Sequence, residues 1–122
     1  MKRDPDLIRA MLAALEENEH GNFKGRIQLP SWSDEQVGYH GYLIIEEGFA
    51  KGTFTDGFQS PSPEGRLRVL TPKGHDFLDA TRDQGVWDET KRAALKLGGT
   101  LTIGMMLELA KTYLRLKLGL PV

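Results

Sequence analysis

The stretch Ser33-Asp34-Glu35-Gln36-Val37-Gly38-Tyr39-His40-Gly41-Tyr42-Leu43-Ile44-Ile45-Glu46-Glu47-Gly48 decides how this 122-residue chain is read. Ser33 with Gln36 is a capping-box pair: the hydroxyl serves the amide three residues on, and the Gln36 side chain reaches back. A helix is expected from Asp34 to about Glu47, and Gly48 is placed to end it. Phe49–Thr55 and Arg66–Leu70 then read as two strands. They are joined by a connection rich in turn formers, from Asp56-Gly57 through Ser60-Pro61-Ser62-Pro63-Glu64-Gly65. Thr71-Pro72 is a cap followed by a proline at the first helical position, and it opens a further helix carrying Phe77, Leu78 and Ala80.

Upstream, Asp4-Pro5 is the same cap-and-proline device. Leu7, Ile8, Met11, Leu12 and Leu15 share one face at about 100° per residue, so a helix is expected from Pro5 to about Asn18. Arg26-Ile27-Gln28-Leu29 alternates and is closed by Pro30, which predicts a short strand. Downstream, helices are expected over roughly Val86–Leu97 and Thr102–Leu118, separated by Gly98-Gly99. Helix, short strand, helix, two-stranded wing, helix is the order of a winged helix. The expected class is α+β, with a winged-helix-like core over 1–82 and a C-terminal helical appendage over 83–122. The appendage either packs on the core or forms a dimer interface.

At these residues the chain resembles a known family of small winged-helix-like proteins with no assigned function, found mainly in bacteria, prophages and phages. The resemblance is carried by Met1-Lys2-Arg3-Asp4, by Ser33 through His40 with Tyr42-Leu43, and by Ser60-Pro61-Ser62-Pro63. It continues through Leu70-Thr71-Pro72-Lys73-Gly74-His75-Asp76-Phe77-Leu78-Asp79-Ala80 and Arg82-Asp83 with Val86-Trp87. It implies a winged-helix-like core and a phage or mobile-element context. It implies no activity.

Composition limits the function. Apolar residues are 39% and charged residues 27%, with a formal net charge of -1 and no cysteine. That balance is foldable and argues against a packaging protein, which needs a cationic excess. Without cysteine there is no disulfide framework, zinc finger or thiol nucleophile. The start, with two acids and a proline, does not read as a signal peptide. The apolar C-terminal segment carries Glu108, Lys111, Arg115 and Lys117, too many charges for a membrane span. A cytoplasmic protein with no membrane partner is expected.

The charge is unevenly placed: Ser33–Leu70 has three basic and six acidic residues, whereas Leu101–Val122 nets +2. In the helix occupying the recognition slot, Val37, His40, Gly41, Leu43, Ile44 and Ile45 form the inward arc. Glu35, Tyr39, Tyr42 and Glu46 form the outward one. Major-groove readers favour Arg, Asn and Gln, and phosphates repel acids. The expected DNA-binding set is therefore Lys24, Arg26, Gln36, Lys51, Arg66 and Arg68, centred on the wing, in a non-enzymatic regulator acting on double-stranded DNA. The alternative is a protein-binding accessory factor using Glu35, Tyr39, Tyr42 and Glu46 against a host or phage protein, since aromatic anchors dominate interface energetics.

No pair among His20, His40 and His75 has metal-ligand spacing. His40 is expected to be a packed histidine. No nucleophile elbow or phosphate-binding glycine loop is encoded, so neither catalytic residues nor a cofactor is expected. In the last helix apolar side chains cover more than half the circumference, beyond what one core requires. A homodimer interface is expected there, through Ile103, Met106, Leu107, Ala110, Tyr113 and Leu114. A helical hairpin closed within one chain is the competing arrangement.

Overall fold

A computed structural model describes residues 1–56, 60–98 and 100–121. The wing tip around Gly57 and the second glycine of Gly98-Gly99 lie outside the described residues. The order is α1 (Pro5–Glu17), α2 (Asp34–Glu46), β1 (Ala50–Thr55), β2 (Glu64–Leu70), α3 (Pro72–Ala80), α4 (Gln84–Lys96) and α5 (Ile103–Leu118). The chain is α+β, with five helices and an antiparallel two-stranded sheet among the described residues.

The helix starts follow from their caps. Asp4 accepts from the Leu7 amide, Thr71 from Gly74 and Asp83 from Val86. Ser33 and Gln36 form the reciprocal box. Helix α2 ends in a Schellman motif: Gly48 sits at φ 82, its amide reaches Ile45 O, and the Phe49 amide reaches Ile44 O at 3.0 Å. The reversal delivers the chain straight into β1.

One expected element is absent. Arg26–Leu29 is not a strand. No backbone bond joins this segment to β2 among the described residues; the neighbouring bond, from the Phe23 amide to Arg68 O at 2.8 Å, lies before it. Gly25 at φ 83 turns the chain just afterwards. Ile27 is buried and Arg26 faces carboxylates, so an extended loop produces the alternation a strand would. β2 also begins two residues earlier than expected, because Thr55 pairs with Glu64 and Phe54 with Gly65.

One core unites the chain. Leu7, Ile8, Met11 and Leu12 of α1 meet Phe77 of α3, Trp87 of α4, and Ile103, Met106 and Ala110 of α5. Phe49, Phe77 and Trp87 form an edge-to-face series with centroids 6.1 and 6.0 Å apart. Asp6 holds α4 to α1, accepting from Trp87 Nε1 at 3.1 Å and from Lys91 Nζ at 3.4 Å. Lys117 at the end of α5 reaches Asp83 at the start of α4, at 2.7 Å, so α4 and α5 form an antiparallel hairpin within the chain.

Candidate binding face on the second helix and the hairpin

Helix α2 shows three sides. Val37, His40 and Ile44 enter the core. Gly38 and Gly41 lie against β2, where a Cβ on Gly41 would fall on the carbonyl oxygen of Gly65. Backbone meets backbone here because both elements present glycine. The third side, with Glu35, Tyr39, Tyr42 and Glu46, faces outward as the sequence predicts: the two acids are exposed and the two tyrosines half-buried.

The hairpin extends that outward side. Tyr42 meets Phe54 of β1 edge-to-face at 5.2 Å, and Tyr39 lies 6.1 Å from Tyr42. Phe54 retains 45% exposure. Sequence reasoning gave Phe54 no role. The signal was its two-residue spacing from Ala50 and Gly52, which puts it on the sheet face that α2 covers.

Four of the six expected DNA-binding residues have partners within the chain. Arg26 is paired with Asp34 at 3.2 Å and Glu64 at 2.6 Å. Gln36 is turned back to the Ser33 amide, its Oε1 accepting at 2.9 Å. Arg66 shares Glu64 at 3.6 Å, and Arg68 bonds Asn22 Oδ1 at 3.1 Å. Lys24 and Lys51 are exposed. Arg66 and Arg68 do alternate with buried Gly65 and Leu67, so they share the outer hairpin face.

Beside α2 lies a cleft of about 280 Å³ lined by Arg26, Asp34, Glu35 and Glu64. Asp34 and Glu64 are both paired with Arg26, and no acid–histidine group suited to a metal occurs among the described residues. His40 is 1% exposed. Its Nδ1 donates to Gln36 O at 2.8 Å, and its Nε2 accepts from the Asp4 amide at 2.8 Å. Burial pushes its pKa down, against the Gln36 carbonyl and the Asp4 carboxylate, which favour the proton. Both nitrogens are engaged, so the ring is structural.

Residues 2–100 match the model of a family described as "Hypothetical protein (DUF2513)". The chain belongs to this family. A relative, an uncharacterized protein of Haemophilus influenzae (strain ATCC 51907 / DSM 11121 / KW20 / Rd), is 30% identical over 118 residues. That alignment covers 93% of this chain and 96% of the relative. No solved structure matches the chain. The family is uncharacterised and carries no indication of catalysis. Among the described residues no helix is long and apolar enough to cross a membrane.

The residues expected at a dimer interface are placed mostly inside this DUF2513 chain. Ile103, Met106 and Ala110 are fully buried and Leu107 nearly so, while Tyr113 and Leu114 pack partly against the same core. The apolar excess of α5 that reaches solvent is a different set, including Met105 and Leu116.

Proposed function

We propose that this DUF2513 protein is a non-enzymatic binding protein whose working surface is the outward side of α2 with the hairpin, and that its partner is a protein. The observation that carries this reading is the half-exposed aromatic group Tyr39–Tyr42–Phe54, flanked by Glu35 and Glu46. Rigid aromatic anchors ringed by charge suit a protein partner with an apolar pocket and a basic rim. Duplex DNA would meet carboxylates along the helix that should enter the groove.

A second reading, a DNA-binding regulator of phage or mobile-element origin, is favoured by Lys51, Arg66 and Arg68, exposed on the hairpin. One paired experiment separates the two. Under the first reading, the wild-type protein captures a partner that Tyr39→Ala with Tyr42→Ala loses, and no duplex is retarded at low salt. Retardation that falls steeply with salt and disappears in Arg66→Glu with Arg68→Glu overturns the first reading in favour of the second.

A further inference from the structure

The α5 helix has a second apolar stripe, opposite the one it buries. Met105, Leu109, Thr112 and Leu116 recur at spacings of four, three and four residues, the repeat that keeps one seam facing a partner helix. Met105 is 50% and Leu116 58% exposed, whereas Leu109 is half-buried. Beside the N-terminal half of the stripe, Leu97 and Leu101 join Met105 and Leu109 around an open apolar groove of about 540 Å³. The groove lies toward one end of the helix and the protruding Leu116 toward the other.

We infer that this seam is covered by a second copy of the chain, with the two α5 helices antiparallel about a two-fold axis. The four positions are self-complementary under that operation. Met105 meets the partner's Leu116 over the groove, Leu109 meets the partner's Thr112, and the remaining contacts repeat by symmetry. Charge selects the orientation. Glu108 and Arg115 lie on the same flank of the seam, seven residues apart. An antiparallel two-fold brings like flanks together, so Glu108 faces the partner's Arg115 twice. A parallel pair would instead set this flank against the other, where Met106 and Tyr113 offer no charge. Among the described residues no carboxylate pairs with Arg115, and Glu108 has only a loose contact with Lys111 at 3.7 Å, exposed to water.

This association surface is separate from the α2–hairpin side, and its test does not depend on what that side binds. Sedimentation equilibrium over a concentration series should show a monomer–dimer equilibrium. Met105→Glu with Leu116→Glu changes exposed positions only and should raise the dissociation constant at least about tenfold, with an unchanged circular dichroism spectrum. Glu108→Arg and Arg115→Glu should each weaken the dimer, and the double reversal should restore it. A wild-type monomer throughout the series overturns the inference. So does a dimer indifferent to the seam variants, or single reversals that the double does not rescue.

Discussion

The imidazole of His40 bonds the backbone amide of Asp4 through Nε2, across a sequence separation of 36 residues. The same Asp4 caps α1 at Leu7 and accepts from Trp32 Nε1 at 2.9 Å. The first turn of α1, the loop before α2 and the middle of α2 therefore meet at one hydrogen-bonded node. Because Nε2 accepts, the node requires the neutral ring.

A pH dependence follows. The folded-state pKa of His40 is depressed by burial below its ordinary value of 6.5. As pH drops below 6.5 the unfolded chain takes up a proton that the folded chain refuses. Stability is fully present above that pH and declines below it, by no more than about 1.4 kcal/mol per pH unit. Urea midpoints from pH 7.5 to 5 should show the decline. His40→Gln should be less stable at pH 7.5 yet flatter over the range, since it loses the titrating group. An equal slope in both proteins would count against the assignment.

A second prediction concerns the glycine contact of α2 with β2. Gly41→Ala places a methyl on the Gly65 carbonyl, where neither backbone can yield without parting the helix from the hairpin. The expected loss is about 1–3 kcal/mol, the usual cost of overpacking. It should outweigh the roughly 1 kcal/mol that alanine gains over glycine in a helix. Gly21→Ala, where nothing lies within 4 Å, is the control and should be close to neutral. Thermal melts of the two variants give the comparison.

The elements that sequence reading located are those with chemistry at their ends. Asp4-Pro5, Ser33 with Gln36, Gly48 and Thr71-Pro72 act within a few residues of themselves, so their meaning survives without tertiary context. The false strand at Arg26–Leu29 shows the limit: four alternating residues report which side chains are buried, not whether a neighbouring backbone pairs with them. The α5 wheel shows another. It revealed an excess of apolar surface but could not say which side α3 and α4 cover, so buried Met106 was assigned outward and exposed Met105 was passed over. The outward residues of α2 were legible because helical period alone separates Tyr39 and Tyr42 from Val37 and Ile44. Phe54 was not, because its neighbour Tyr42 comes from another element.

Glu47 supports a third prediction. One carboxylate oxygen accepts from Arg3 Nε at 3.1 Å, and the other from the Ile103 amide at 2.8 Å. The end of α2 thus satisfies an otherwise unpaired amide in the first turn of α5. Glu47→Ala leaves that amide and the guanidinium without this partner and should cost about 1–3 kcal/mol. Glu47→Gln keeps an acceptor for Ile103 but loses the charge for Arg3, so its loss should be smaller. Denaturant titrations that rank the two equally would show that the amide bond contributes little.

The last prediction tests whether residues 1–82 hold together without α4 and α5. Cutting after Arg82 removes Trp87, whose indole closes the aromatic series on Phe77 and bonds Asp6. It also removes Ile103, Met106 and Ala110, all fully buried against the rest of the core. Loss of one large buried side chain costs about 2–5 kcal/mol, and a domain of this size holds only about 5–15 kcal/mol in total. Removing several at once exceeds that margin. The fragment 1–82 should therefore lose cooperative thermal unfolding and bind a hydrophobic dye, while the full chain melts in one transition. If the fragment melts cooperatively near the full-chain midpoint, α4 and α5 are an appendage on an independent core rather than part of its interior.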